Sequence, residues 1–320
     1  MATEALPEID AQYRVLREGA GMLDRSARGK LAVRGAEAAE YLQGQLTNEI
    51  EALEPGQGCY AALLDRKGHI QADLRVLRMA DDELWLDTEP AALEALRRHL
   101  ETYKIGREVE IADMTAEQAL LAVIGPAAAD VTGVASGAEH THSESSVGGI
   151  SCRAVGTDLG IDLIAAAGDA AALRSALLEA GAVEVGDAAA EIVRVESGRP
   201  RFGNEMGPAT MPAEAGIVER AVDFEKGCYI GQEPVARLYY RGKPNRHLRG
   251  LRLSAPAEPG ATLRHGEREV GTLGSSVLSP ALGPIALAVV RREAEPGATV
   301  QVGEGPVSAE VVELPFGAPA

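Results

Sequence analysis

The spacing of apolar residues changes near residue 245, and this change constrains the fold more than any other feature of the sequence. From His247 onward, apolar and polar residues alternate in short runs that are separated by Pro-Gly turns. Such spacing is typical of a small all-β barrel or sandwich of about 75 residues. Because a chain of 320 residues is too long for one compact core, we predict a C-terminal β-barrel domain over residues 244–320.

The chain before this point mixes helical and strand patterns, which predicts α+β structure. Residues 59–88 read as a meander of three antiparallel strands. Amphipathic or capped helices are predicted around residues 8–19, 36–46, 89–104, 168–181 and 187–198. We predict two α+β domains, at residues 1–130 and 131–243. The polar segment 133–149 is predicted to be an exposed loop, and His140 and His142 are assigned to it rather than to a metal site.

Composition and charge exclude several classes of protein. The formal charge of −17 disfavours broad contact with a nucleic-acid backbone, because that affinity depends on Lys and Arg. The N-terminal stretch has no basic n-region followed by an apolar run, so no signal peptide is predicted. No segment approaches the roughly 20 apolar residues that span a bilayer. We therefore expect a cytoplasmic protein without membrane contact.

The three cysteines are Cys59, Cys152 and Cys228. Their odd number and wide separation argue against a disulfide framework. They are also too few and too scattered for a self-contained metal site, which requires about four ligands. We predict no metal site within the chain.

Cys228 lies in the octapeptide KGCYIGQE, residues 226–233. Two interpretations are open. The neighbouring Lys226 and the glycine-containing turn favour a reactive or metal-binding thiol, whereas a buried cysteine most often serves as a small packing residue. The polar residues that follow, including Arg237, favour the reactive thiol, because a packing cysteine does not need such neighbours.

Two isolated carboxylates, Asp73 and Glu196, allow a similar choice. Most charged side chains on strands and at helix ends are solvated. Buried carboxylates would instead suit a ligand with amidine-like N–H donors, such as a pterin ring. No glycine-rich phosphate-binding motif is present.

The octapeptide resembles the signature of the YgfZ family. These are folate-binding proteins that support iron-sulfur cluster assembly and are related to the T-protein, the aminomethyltransferase of glycine cleavage. Further segments look like the blocks of that family in the same order. They are residues 40–50, 53–76, 194–206, 212–217 and 231–242.

The resemblance implies a GcvT-like ring of two α+β domains and a β-barrel around a cavity that binds tetrahydrofolate. It implies cofactor contacts from Asp73, Glu196, Lys226 and Arg237, and a functional thiol with a catalytic role at Cys228. In the related T-protein, the pterin-holding glutamate corresponds to Glu196, and an aspartate activates the folate amines. The family has two adjacent acids there, but this chain has Ala72 before Asp73, which argues against the T-protein mechanism.

Three functional hypotheses follow. The preferred one is a folate-binding accessory protein that promotes iron-sulfur cluster assembly or repair, with transient contacts to assembly proteins or cluster-dependent enzymes and an indirect effect on tRNA modification. The alternative is a folate-dependent aminomethyltransferase or demethylase; a third is a scaffold that only senses folate. Direct nucleic-acid binding is not expected, although a local basic patch leaves that alternative open. The patch consists of Arg237, Arg241, Lys243, Arg246 and Arg249.

Overall fold

A computed structural model of the chain describes residues 8–317. The described residues form two compact units. The first contains the chain up to Leu63, Gln71–Ala190 and Ala221–Ile230, and the second contains Leu64–Ile70, Glu191–Arg220 and the chain from Gly231 onward. Residues 1–7, on which the signal-peptide prediction partly rests, lie outside the described residues.

The helices and strands are labelled in chain order. The helices are α1 (Ile9–Glu18), α2 (Ala38–Gln43), α3 (Pro90–Tyr103), α4 (Ala128–Thr132), α5 (Ala170–Glu179), α6 (Asp187–Glu196), α7 (Val218–Ala221) and α8 (Gln232–Arg241). The strands up to residue 113 are β1 (Gly21–Asp24), β2 (Gly29–Arg34), β3 (Gly58–Leu64), β4 (Ile70–Ala80), β5 (Glu83–Thr88) and β6 (Glu110–Asp113). The next five are β7 (Gln118–Ile124), β8 (His142–Val147), β9 (Ile150–Gly156), β10 (Gly160–Ala166) and β11 (Val183–Glu184). The last six are β12 (Arg246–Leu253), β13 (Thr262–His265), β14 (Arg268–Ser279), β15 (Gly283–Arg291), β16 (Thr299–Val302) and β17 (Ser308–Val312).

The first unit contains two sheets. One is five-stranded, in the order β3-β4-β5-β2-β6, and the other is six-stranded, in the order β11-β1-β7-β10-β9-β8. The meander predicted over residues 59–88 is confirmed as β3, β4 and β5, which are neighbours in the five-stranded sheet. The helix predicted around residues 8–19 is confirmed as α1. Strand β4 is buried on both faces over Leu74–Arg78, so charged side chains enter the interior there.

One prediction for this unit is wrong. Residues 142–147 of the predicted loop form the edge strand β8, which pairs with β9. His142 is buried in it, and its ring accepts a hydrogen bond from Arg153 at 3.0 Å and donates one to the carbonyl of Gln57 at 3.1 Å. A polar composition is common in edge strands, because it discourages pairing with other chains. The small polar residues therefore indicated an edge strand as well as a loop.

The second unit contains a closed barrel of six strands in the order β12-β15-β14-β13-β16-β17. Its core is apolar, and side chains such as Leu251, Leu263 and Val300 have no exposed surface. The C-terminal barrel predicted from the alternating pattern is confirmed.

The predicted fold class is confirmed as two α+β domains and a C-terminal barrel. The domain bounds at residues 130/131 and 243/244 stay predictions. No helix among residues 8–317 is long and apolar enough to cross a membrane.

Candidate functional site

Asp73 lies on β4 in the first unit, and one of its carboxylate oxygens has no partner. The hydroxyl of Tyr60 on β3 donates a hydrogen bond to Oδ2 at 2.8 Å. Oδ1 is buried, and no donor among the described residues reaches it. Burial raises the pKa of Asp73 to about 6, although the Tyr60 hydroxyl and the Arg28 guanidinium act in the opposite direction. The side chain is therefore a proton acceptor of near-neutral pKa with one oxygen available to a ligand.

Other carboxylates of the first unit are held in ion pairs with buried or partly buried arginines. Arg75, two residues after Asp73 on β4, contacts Asp87 at 2.5 Å and Asp162 at 2.8 Å. Arg28 contacts Asp87 at 2.5 Å and Glu89 at 2.5 Å. Burial would raise the pKa of Asp87, but the two guanidiniums together lower it to about 2.

These ion pairs also connect the two sheets of the first unit. Arg75 belongs to the five-stranded sheet, and Asp162 lies on β10 of the six-stranded sheet. Buried guanidiniums require carboxylate partners, because an unpaired buried charge is costly. Asp73 makes no ion pair within the part of the chain that the structure describes, and this leaves its charge available for chemistry.

The octapeptide begins in the first unit with a buried lysine. The ammonium of Lys226 donates hydrogen bonds to the carbonyls of Gln43 at 2.8 Å, Leu46 at 2.7 Å and Asn48 at 2.6 Å. Burial lowers the pKa of Lys226 to about 8, with Glu49 acting against the shift. All three N–H donors are occupied by carbonyls, so a ligand could accept one only by displacing a carbonyl.

Hydrogen bonds link this lysine to the candidate acid. Lys226 holds the carbonyl of Asn48, and the side-chain amide of Asn48 donates to the carbonyl of Tyr60 at 2.8 Å. The Tyr60 hydroxyl then donates to Asp73. The octapeptide thus positions the segment 43–48, and through it the strand that carries Tyr60.

The cysteines differ in exposure. Cys228 is exposed, whereas Cys59 is partly buried and Cys152 is buried. Burial raises the pKa of the Cys59 thiol to about 12, so this thiol stays protonated. Next to Cys228, Tyr229 is 7% exposed and its hydroxyl has no hydrogen-bond partner among residues 8–317.

Two predicted site residues lie in the second unit. Glu196 ends α6, is 5% exposed, and accepts a hydrogen bond from the Ser279 hydroxyl at 2.5 Å. Arg237 is exposed on α8. Their predicted contacts with a cofactor stay predictions, as do those of Asp73 and Lys226 and the role of Cys228. The described residues do not gather three or more His, Cys, Asp or Glu side chains into a possible metal site.

Sequence reasoning missed Tyr60, Arg28 and Asp87. The sequence did contain a signal for Asp87, because Asp87 and Arg75 are directly opposite each other when β4 and β5 are paired in register. Tyr60 follows Cys59 at the start of the meander and is 13 residues from Asp73. Pairing across the two strands was needed to bring them together.

Comparison with known proteins identifies relatives along almost the whole chain. Residues 2–226 match the GCVT N-terminal domain, and residues 246–317 match the glycine cleavage T-protein C-terminal barrel domain. An aminomethyltransferase of Rubrobacter xylanophilus is 32% identical over 321 residues, which cover 96% of this chain and 86% of the relative. A putative chloroplastic transferase of Arabidopsis thaliana is 29% identical over 98% of this chain and 75% of the relative.

A solved structure agrees with these matches. The crystal structure of the glycine cleavage system aminomethyltransferase T from Bartonella henselae superposes with a TM-score of 0.87 and 27% sequence identity. The superposition covers 97% of this chain and 89% of that chain. Since the N-terminal family match alone spans more than half of the sequence, the chain belongs to the glycine cleavage T-protein (GCVT) family.

Proposed function

We propose that this protein binds a tetrahydrofolate and transfers a one-carbon unit in the manner of an aminomethyltransferase. The names of its relatives support this activity over the accessory role that the octapeptide suggested. The observation that carries the proposal is Asp73, a partly buried side chain with a near-neutral pKa whose buried Oδ1 has no partner among the described residues. Such a group is suited to proton transfer near pH 7.

The residues around Asp73 fit a folate. Tetrahydrofolate, when bound, supplies amines that exchange a one-carbon unit. An amine N–H is the donor that the orphaned Oδ1 lacks. Asp73 would accept this hydrogen bond from the cofactor. The proposal also includes contacts between the cofactor and the side chains of Glu196 and Arg237. Lys226 acts differently, because its three donors hold the backbone at residues 43–48.

Each residue near Asp73 has a separate part in this chemistry. Asp73 accepts a proton at Oδ1, and at pH 7 most of its carboxyl groups are ionised and ready to do so. Tyr60 fixes the other oxygen and so sets the direction of Oδ1. Arg28 and Arg75 form ion pairs with other carboxylates, namely Asp87, Glu89 and Asp162. Neither forms an ion pair with Asp73, so the proton affinity of Asp73 is not suppressed by direct pairing.

The missing second acid does not prevent this role. Position 72 is alanine and has no exposed surface, so a second carboxylate there would have to be buried. Proton transfer therefore falls to Asp73 alone.

Substitution of Asp73 tests the proposal. The variant Asp73→Asn keeps the shape of the side chain, and we expect it to lose about 10²- to 10⁴-fold in turnover of tetrahydrofolate with an aminomethyl donor. Folate binding, measured separately by calorimetry, should persist. The matched control is Asp113→Asn, which changes an exposed carboxylate of the same unit. Unchanged turnover in Asp73→Asn would overturn the proposal.

Cys228 supports a second candidate function. Its thiol is exposed within the octapeptide, while Cys59 and Cys152 are shielded. An exposed thiol could serve the transient partners expected of the YgfZ type, namely iron-sulfur assembly proteins or cluster-dependent enzymes in the cytoplasm, with an indirect effect on tRNA modification. That finer assignment rests on the octapeptide alone.

Complementation separates the two candidates. In a host that lacks the gene, Cys228→Ala and the control Cys152→Ala would be compared at matched protein levels. The second candidate predicts that only Cys228→Ala fails to restore a [4Fe-4S]-dependent activity while keeping one-carbon turnover. Full rescue by Cys228→Ala would eliminate the second candidate and leave the first intact.

A further inference from the structure

Apart from Arg237, the longest basic segment of this acidic chain has no part in the proposed function. The chain contains 48 acidic and 31 basic residues, yet no Asp or Glu occurs between Glu233 and Glu258. The Lys and Arg residues of that interval are Arg237, Arg241, Lys243, Arg246, Arg249 and Arg252. Positive charge is therefore concentrated where the chain enters the barrel.

Part of this segment lies at one end of the barrel, on the core-facing side of its strands. Leu251 and Leu253 of β12 belong to the barrel core. Because alternate residues of a strand face the same side, His247 and Arg249 continue that face beyond the apolar core. Val290, which pairs with His247 across β12 and β15, is also a core residue.

A cavity of about 630 Å³ opens at this end of the barrel. Val290 and Ala294 of the barrel core contribute apolar walls, and cationic side chains line the remainder. The lining cations are Lys243, Arg249, Arg291 and Arg292. A hydrogen bond from the Arg292 amide to the Asn245 carbonyl, at 2.9 Å, holds the two segments that carry them side by side. The volume is in the range of small-molecule sites, which often occupy the mouths of β-barrels.

The lining leaves an excess of positive charge. Its four cations face two carboxylates, Glu293 and Glu295, which leaves two positive charges. The neighbouring pairs do not alter this sum, since Arg268 pairs with Glu293 at 2.9 Å and Glu313 pairs with Arg249 at 3.2 Å. Burial, followed by the charge of Arg249, lowers the pKa of His247, so the imidazole adds no charge at pH 7.

Like charges lie close together in this part of the barrel, and three of the cations are exposed to solvent. Arg246 and Arg291 are directly opposite each other across β12 and β15, and like charges in such a pair repel. Arg246 is neutralised by Glu214 at 2.8 Å. Arg291, Arg292 and Lys243 form no ion pair within residues 8–317, although the chain has a large excess of carboxylates.

We propose that the barrel mouth is a binding site for a compact anion with at least two phosphate or carboxylate groups. Lys243, Arg291 and Arg292 contact the anionic groups, and Arg249, anchored by Glu313, contributes a fixed guanidinium. Guanidinium groups bind both kinds of anion through paired N–H donors. The residues of this site belong to the second unit, and the inference does not depend on the proposed one-carbon chemistry.

Calorimetric titration of the full-length protein tests this site with two probes, inorganic pyrophosphate and citrate. We expect saturable one-to-one binding of at least one probe, and the stronger probe identifies the anion as phosphate or carboxylate. Arg292→Gln should weaken the binding by about tenfold or more, because it removes a charge-assisted hydrogen bond. Arg264→Gln, which changes an exposed arginine on β13, is the matched control and should bind as the wild type does.

Two results would overturn the inference. One is the absence of saturable binding for both probes; the other is an equal loss of affinity in Arg264→Gln and Arg292→Gln, which would indicate diffuse attraction to surface charge. Asp73→Asn should bind the anion normally. Failure of the one-carbon activity and failure of this site are therefore distinguishable.

Discussion

Asp73 and Asp87 lie on neighbouring strands of the same sheet, and their environments differ in one respect. Asp87 pairs directly with Arg75 across β4 and β5, and Asp73 lies two residues before Arg75 on the same face. Burial opposes ionisation of both carboxyl groups. Asp87 has two guanidinium partners and a pKa of about 2, whereas Asp73 has one hydroxyl partner and a pKa of about 6.

The comparison distinguishes a carboxylate that stabilises the fold, Asp87, from one that is suited to proton transfer, Asp73. Two acids of the same type on neighbouring strands acquire different properties, because Arg28 and Arg75 form ion pairs with Asp87 and not with Asp73. A carboxylate whose charge is compensated holds the fold. One whose charge is left partly uncompensated can gain and lose a proton near neutral pH.

The largest effect on stability is expected from substitution of Asp87, which pairs with Arg28 and Arg75. Asp87→Asn would leave Arg28 and Arg75 short of compensating charge, and we expect the free energy of unfolding to fall by about 3–5 kcal/mol. Urea unfolding monitored by circular dichroism would measure this. Glu94→Gln, which breaks an exposed pair with Arg97, is the control and should have no measurable effect. Equal stability of Asp87→Asn and the wild type would show that the network contributes nothing.

Substitution of Asp73 is expected to change the free energy of unfolding in the opposite direction. The pKa of Asp73 is raised on folding to about 6, so its ionisation destabilises the folded state increasingly from about pH 4 and fully above pH 6. Asp73→Asn should therefore increase the free energy of unfolding at pH 7 by up to about 3 kcal/mol. The same denaturant series at pH 7 and pH 4 measures it, and the gain should vanish at pH 4. A loss of stability at pH 7 would contradict the assigned environment.

Acid unfolding distinguishes the two residues again. The pKa of Asp87 is lowered on folding, so its ionised form stabilises the folded state above about pH 4. This stabilisation is lost as the pH falls towards 2. The linked stabilisation is on the order of 2 kcal/mol. The stability difference between the wild type and Asp87→Asn should shrink over this interval when unfolding is followed at fixed urea. A difference that is constant from pH 5 to pH 2 would exclude the linkage.

A smaller change sharpens the comparison. Tyr60→Phe removes the one hydrogen bond from a side chain to Asp73, and this bond favours the ionised carboxylate. We expect the pKa of Asp73 to rise further by an amount equivalent to about 1 kcal/mol. The acid limb of the pH profile of turnover should move to higher pH, and carbon NMR of the Asp73 carboxyl would measure the same shift directly. An unchanged titration would mean that Tyr60 does not influence the proton on Asp73.

The sequence predicted much of this architecture, because periodicity is local. Alternation identified the meander and the barrel strands, and helical spacing identified α1 and α3. The strand β8 was missed because its small polar residues match the composition of a loop, and only pairing with β9 distinguishes them.

The candidate site was less accessible to sequence analysis. Asp73 was identified through its motif, yet its unpartnered oxygen depends on which strands its neighbours occupy. The same holds for Lys226, which was expected to contact a cofactor. Its bonds to residues 43–48 join parts of the chain that are about 180 positions apart, and no local pattern predicts such a contact.

That separation has a consequence for biosynthesis. The first unit is completed by residues 221–230, where Lys226 binds the carbonyls of residues 43–48 and the Thr47 hydroxyl donates to the carbonyl of Ala221. Chains are made from the N-terminus, and domains fold as their residues emerge. A nascent chain that ends at Ala190 has both sheets of this unit but lacks the ammonium and the backbone that those residues contact. During synthesis, the carbonyls of residues 43–48 therefore stay without the Lys226 ammonium until residues 221–230 have also emerged.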